Sequence, residues 1–244
     1  MRQLFFLLFF VSLLSCSSSQ QLTGVAYKGY SIQPTAGVDS SLYKMIGPYR
    51  DIINRTMDEV LAENEVDLLK EIPDSRLGNF LADAYLWSAK EKLDKEAEMA
   101  FMNHGGVRVN RIGKGQVTRR NIYEVMPFDN LLVVAEVKGS LLQQYLDRLA
   151  AEGGGGGVAG ISMKIRDKKA VEVLVNGKPL DPERTYKMVN SDYTLDSGSG
   201  IQEFKTLKQQ RSGYLMRDAI IDYCKHLQSS GKKITVESPM RISK

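Results

Sequence analysis

The 244-residue sequence predicts an α+β fold: a single domain in which a mixed β-sheet is packed by helices. Three observations point there. Strand-like and helix-like stretches follow one another without the regular β-α alternation of a parallel α/β sheet. A hairpin signal, Asn176-Gly177, falls between two strand-like runs. From residue 40 onward no repeat or internal linker splits the chain. Composition is that of a globular protein, 43% hydrophobic and 25% charged. The net charge of +4 is spread along the chain. Pairs such as Lys168-Lys169 and Lys232-Lys233 read as solvated faces, so no nucleic-acid partner is expected.

The chain opens with a positive Met1-Arg2 and an apolar run, Leu4 to Leu14, interrupted at Ser12. That run falls short of the roughly 20 apolar residues that cross a bilayer. A basic start, a short apolar core and small residues after it make residues 1–15 a secretory signal. Its end, Leu13-Leu14-Ser15-Cys16, resembles the lipobox of bacterial lipoproteins. The resemblance implies cleavage before Cys16 and acylation of its thiol. It implies an exported, membrane-anchored lipoprotein of the periplasm or cell surface. Several acyl chains on one residue hold a membrane firmly, where one holds it marginally. Residues 16–39 then form a tether and an irregular lead-in with room for one strand. Cys224 is left without a disulfide partner and is expected on a helix, facing the core.

The domain is expected over residues 40–244. Ser40-Ser41 caps a helix running to about Glu63, with Leu42, Met45, Ile46, Tyr49, Ile52 and Ile53 at helical spacing. A second helix follows Asp74-Ser75, its buried side marked by Leu77, Phe80, Leu81, Ala84, Tyr85 and Ser88. Ala97 to Met102 reads as a strand ending on the turn Asn103-His104-Gly105-Gly106. A short helix, Arg119 to Val125, precedes a strong strand, Leu131 to Val137. Gly139 opens a helix to about Glu152, and five glycines, Gly153 to Gly157, end it. These glycines read either as a flexible connection or as a docking surface. Strands Ser162 to Arg166 and Ala170 to Val175 follow, then the hairpin to Lys178-Pro179-Leu180. Tyr186 to Asn190 is a strand entering the loop Ser191 to Gly200. A last helix is expected from about Gly213 to Leu227, with a short strand near Ile234 to Val236.

The loops carry more than the elements do. Asn103-His104-Gly105-Gly106-Val107-Arg108, then Gly113-Lys114-Gly115, then Met126-Pro127-Phe128-Asp129-Asn130 resembles the C-terminal domain of 5′-nucleotidases. A second block agrees: Asn176-Gly177-Lys178-Pro179-Leu180 through Tyr186, then Asn190-Ser191-Asp192-Tyr193. Leu77-Gly78-Asn79 resembles the family's first helix. The match runs in order from about Asp74 to Ile242, and it implies that family's α+β fold and a nucleotide or nucleoside ligand.

The resemblance places the family's two base-stacking rings at Phe128 and Tyr193. Stacking on an aromatic ring stabilises a bound base by about 1–3 kcal/mol. It places the base-edge contact at Asn103 and the phosphate or ribose contact at Arg108, whose planar fork suits phosphate oxygens. Gly105 and Gly106 are expected to give the backbone close approach to the ligand or a positive φ. Two stretches depart from the pattern. The family's Gly-Gly-Asp-Gly is Ser197-Gly198-Ser199-Gly200 here, so Ser199 stands where a ribose-binding carboxylate would. The arginine before the first helix is absent from Lys70-Glu71-Ile72-Pro73-Asp74, leaving Lys70 or Arg76 as substitutes.

Hydrolysis in this family belongs to a separate metallophosphatase domain, whose metals clamp the attacking and leaving oxygens. The sequence has two histidines, His104 and His226, and neither sits in a metal-binding context. The expectation is therefore a recognition subunit with no catalytic residue, no metal and no cofactor of its own. Divalent metals are expected only in a separate metallophosphatase partner. The alternatives are a stand-alone nucleoside- or nucleotide-binding lipoprotein and a ligand-free scaffold of the same fold.

Overall fold

The computed structural model describes residues 27–31, 37–235 and 240–244. The signal, Cys16, most of the tether and Val236 lie outside the described residues. Among those described, helices run over Ser40–Met57 (α1), Arg76–Lys92 (α2), Arg119–Val125 (α3), Gly139–Ala151 (α4), Asp192–Ser197 (α5) and Met216–Ser229 (α6). The strands are Val60–Asn64 (β1), Leu68–Leu69 (β2), Met99–Met102 (β3), Arg111–Ile112 (β4), Gly115–Thr118 (β5), Leu131–Lys138 (β6) and Gly157–Ala159 (β7). Ile161–Arg166 (β8), Lys169–Val175 (β9), Lys178–Pro179 (β10), Thr185–Ser191 (β11), Gln209–Leu215 (β12) and Ile242–Ser243 (β13) complete them.

The chain divides into two units, Met1–Ile46 and Gly47–Lys244. In the first, residues 27–31 and 37–39 have no regular structure. Asp39, not Ser40 or Ser41, caps α1: its Oδ1 accepts from the Ser41 and Leu42 amides at 2.9 and 3.1 Å. The Ser41 hydroxyl and then these amides hold its carboxyl below the ordinary range.

In the second unit a five-stranded sheet of order β12-β6-β11-β3-β7 forms the centre. Its pairs are antiparallel except β3 and β11, which run parallel. Side chains of a strand alternate between faces, and here both faces are covered. Leu132 and Val134 of β6, Ala100 and Met102 of β3, and Val189 of β11 pack with α2, α3 and α6. The alternate residues Val133, Ala135 and Val137, Met99 and Phe101, and Met188 pack with α4, β8 and β9. A strand buried on both faces needs apolar residues at every position, which is why Leu131 to Val137 is an almost unbroken apolar run. Each Leu or Phe fully buried in these layers contributes about 1.5–3 kcal/mol.

Helix α2 begins where Ser75 Oγ accepts from the Gly78 amide at 3.0 Å. All six residues expected on its inner face are buried. Cys224 lies in α6, fully buried, and burial pushes its thiol up to about 12.

Four expectations need correction. Helix α1 ends at Met57, because Val60–Asn64 pairs with β5 and buries Leu61 and Ala62. Its apolar residues are exposed, and the helix buries none of its side chains. The stretch Ser191 to Gly200 is not a loop: Ser191 Oγ accepts from the Thr194 amide and starts α5. Gly213, with φ +75°, lies in β12, and the last helix starts three residues later at Met216. Near Ile234 there is one isolated bridge, to Asn64, rather than a strand.

The five glycines are neither a flexible connection nor an open surface. Gly154, Gly155 and Gly156 lie against Pro73, Ile72 and Met102, and Gly157 against the backbone of Gly78. Side chains at 154, 156 and 157 would collide with backbone, so that part of the run is a packed seam.

Candidate functional site

Sheet register brings the sequence-predicted residues to one end of the fold. Strand β3 ends at Met102, and β11 runs beside it in the same direction, with Met188 opposite Met99. Strand β6 runs the other way, with Leu132 opposite Ser191. The end of β3, the end of β11 and the start of β6 are therefore neighbours. Asn103 follows the first, Tyr193 follows the second, and Phe128 precedes the third.

Short polar contacts fix these loops. Asp192 Oδ1 accepts from the Leu131 amide at 3.0 Å and the Tyr193 amide at 2.7 Å, tying the start of α5 to the start of β6. The Arg108 amide donates to Val125 O at 3.0 Å, which brings the glycine turn to the end of α3. There the Arg108 guanidinium lies 5.7 Å from the centre of the Phe128 ring. Its Nη1 donates to Gly105 O at 3.3 Å, and among the described residues it forms no ion pair. Phe128 is 38% exposed and Tyr193 61%, so both rings stand out of the core.

The turn itself is a single 3-10 turn, His104–Gly106, with Asn103 before it. Neither Gly105 nor Gly106 has a positive φ, contrary to one of the two roles expected for them. A Cβ on Gly106 would lie 2.6 Å from Asn103 Oδ1 and 2.6 Å from Met102 Cε, so a side chain there would displace the ends of both. Gly105 has open space, its nearest neighbour being Asn103 Nδ2 at 3.9 Å. His104 Nδ1 is 2.8 Å from Gly155 O, joining the turn to the glycine seam.

Ser199 adopts a left-handed conformation, φ 40° and ψ 37°, and its hydroxyl donates to Thr194 O at 3.2 Å. The oxygen keeps its acceptor capacity. Asp196 is engaged by the Arg211 guanidinium, whose hydrogen bond holds its carboxyl below the ordinary range. Lys70 Nζ donates to Val107 O at 2.9 Å, and Arg76 is paired loosely with Glu71 at 3.7 Å. Of the two, Arg76 is ion-paired, and Lys70 forms no ion pair among the described residues.

The sequence reading missed Arg217. It is buried on the first turn of α6 and grips the Phe128 loop. The signal was an arginine inside an otherwise apolar helix face, Met216-Arg217-Asp218-Ala219-Ile220, which charge counting alone does not single out.

Among the described residues no group of three or more His, Cys, Asp or Glu is arranged to hold a metal ion. No described helix is long and apolar enough to cross a membrane. A cavity of about 540 Å³, lined in part by Asp74, Arg76, Phe80, Asp83, Tyr223 and Arg241, shares none of Asn103, Arg108, Phe128, Tyr193 or Ser199.

Residues 56–209 match the family model described as 5′-nucleotidase, C-terminal domain. Protein UshA of Yersinia enterocolitica is 32% identical over 132 residues, covering 52% of this chain and 24% of its own. Cell wall protein Lmo0130 of Listeria monocytogenes is 27% identical over 89% of this chain and 30% of its own. The crystal structure of a 5′-nucleotidase precursor from Thermus thermophilus aligns with TM-score 0.69 at 28% identity, covering 84% of this chain and 43% of that one. Haemophilus influenzae NAD nucleotidase, at 20% identity and TM-score 0.64, shares the fold. The chain spans less than a third of the length of the curated relatives named here.

Proposed function

Because the chain belongs to the family of 5′-nucleotidase C-terminal domains, we propose that it is the nucleoside-recognising subunit of a split 5′-nucleotidase, with phosphomonoester hydrolysis carried out by a separate metallophosphatase chain. One observation carries this reading. An arginine without an ion pair among the described residues lies beside an exposed phenylalanine ring, at the sheet end that also bears Asn103 and Tyr193.

Each residue has a chemical task in this reading. The Phe128 and Tyr193 rings hold the base by its faces, at about 1–3 kcal/mol per stacked ring. The Asn103 amide offers both donor and acceptor to the base edge. The Arg108 fork takes phosphate or ribose oxygens. Ser199 accepts from a ribose hydroxyl through the oxygen lone pairs its own bond to Thr194 leaves free. Bound metals in the partner would polarise the phosphate and supply the nucleophile. This chain's residues bind and orient the nucleoside end, and no hydrolytic step falls to them. Acylated Cys16 holds the assembly at the membrane on the exported side.

Thermal-shift and calorimetric titration with adenosine, AMP and UDP-glucose tests the reading, with and without a metallophosphatase partner. Binding is expected, with Phe128→Ala and Tyr193→Ala each weakening it about tenfold. If the wild-type chain binds none of them, alone or with the partner, the reading fails.

A further inference from the structure

Arg217 is a charged side chain with only 9% of its surface exposed. Burying a guanidinium is costly unless its donors are met, and the partners that meet them here come from one loop. Nη1 donates to Phe128 O at 3.2 Å and Met126 O at 3.5 Å, and Nη2 donates to Asp129 Oδ1 at 2.7 Å. The guanidinium lies over the ring of Tyr123 in α3, 4.3 Å from its centre. Nε has no acceptor, the one such buried side-chain atom among the described residues. One residue earlier, the Met216 amide donates to Asn130 O at 2.9 Å. The start of α6 thus grips the loop at residues 126, 128, 129 and 130, on both sides of Phe128.

The Asp129 carboxylate, 2.7 Å from Nη2, neutralises the charge. Two carbonyls held by one planar fork do something more: they fix the path of the backbone from which the Phe128 ring projects. Among the described residues the ring makes no aromatic pair with another ring, and it is partly exposed, so its packing alone does not set its place.

We propose that Arg217 is the positioning residue of the base clamp, holding the Phe128 loop in its receptive conformation before ligand arrives. The ligand in this statement rests on the recognition function proposed above; the loop geometry does not.

The test pairs a ligand-free readout with a ligand-dependent one. Backbone amide order at residues 128–130 is measured by heteronuclear NOE in the wild type, Arg217→Met and Asp129→Ala. Adenosine affinity is measured in the same proteins and in the Phe128→Ala background. Arg217→Met is expected to lower the NOE at residues 128–130 while the rest of α6 keeps its values. It is expected to weaken adenosine about tenfold, and to change nothing further once Phe128 is alanine. Arg217→Lys keeps a charge for Asp129 but loses the fork, and is expected to fall between. Unchanged loop order, or an equal loss of affinity with and without Phe128, overturns the proposal. Should Arg217→Met fail to fold, Asp129→Ala at an exposed position decides: reduced order at residues 128 and 129 supports the proposal and unchanged order sinks it. Absence of adenosine binding in the wild type would count against the recognition function, and the NOE comparison would still decide the role of Arg217.

Discussion

Replacing Gly157 with alanine tests how the site is held from beneath. Gly157 lies in β7, opposite Met102 of β3, and faces Gly78 of α2. A Cβ on Gly157 would sit 1.8 Å from Gly78 O and 2.1 Å from Gly78 C. Real Cβ contacts stay beyond 3.0 Å, so helix and strand would have to part by more than an ångström. No flexible side chain can yield, because both sides of the contact are backbone. The Val158 amide, bonded to Asn79 Oδ1 at 3.0 Å, resists that parting. Overpacking costs about 1–3 kcal/mol in ordinary cores, and this case belongs at the upper end, about 3 kcal/mol. For a domain of this size that lowers Tm by about 6–12 °C. Urea unfolding followed by the fluorescence of the sole tryptophan, Trp87, measures it. Gly105→Ala is the control, having open space and no positive φ, and is expected to stay within about 0.5 kcal/mol of wild type. A Gly157→Ala protein as stable as that control would refute the account of the α2–β7 contact. Met102 adjoins Asn103, so Gly157→Ala is also expected to weaken nucleoside binding.

Three further outcomes are expected. Asp192→Ala frees the Leu131 and Tyr193 amides from their shared acceptor; a stability loss of about 1 kcal/mol and weaker ligand binding should appear together in paired unfolding and titration experiments. Acid should destabilise the fold. Arg119 holds Glu59 below its ordinary 4.5, and Lys187 and Arg211 hold Asp94 and Asp196 below 3.8. Each contribution is full above the ordinary value and is lost as pH falls through the lowered one. Asp83 acts oppositely, since burial raises it against the pull of Arg241, so its contribution fades as pH rises. Three of these groups are lowered and one raised, so the urea midpoint is expected to fall between about pH 5 and about pH 3, and a midpoint that rose would contradict this balance. The Cys224 thiol, buried and pushed up to about 12, should resist a disulfide reagent at pH 8 in the native protein and react fully in urea; rapid native labelling would mean that α6 opens.

Much of the fold was legible because burial leaves periodic marks. The short helix expected around Arg119 to Val125 is there, capped by Thr118, and Leu131 to Val137 was readable from an apolar run that only a doubly covered strand needs. The boundary at Met57 was not legible. Val60–Asn64 continues the helical spacing of α1, and only pairing with β5, more than fifty residues away, turns it to strand. Gln209–Leu215 was hidden for a related reason: it is a polar edge strand with exposed residues and a glycine, defined by its neighbour β6 rather than by its own pattern. At the site, the order of motifs located Asn103, Arg108, Phe128 and Tyr193, and the register of the sheet gathers their loops. Arg217 was invisible because its role depends on where the loop passes, and no local spacing encodes that.

The parallel pairing of β3 with β11 joins residues 99 and 100 to residues 188 and 189. Contacts so distant in sequence close late, since a long loop must be ordered before they repay it. Helices α2 and α3 can form while the rest of the chain is still being made. The clamp cannot: Tyr193 has no strand to stand on until β11 is in place, and the Phe128 loop has no fork to hold it until Arg217 has emerged. In a refolding experiment, secondary structure should therefore recover first and nucleoside affinity last. On the function proposed above, a nascent chain stopped short of residue 217 would carry Asn103, Arg108, Phe128 and Tyr193 and still lack the clamp.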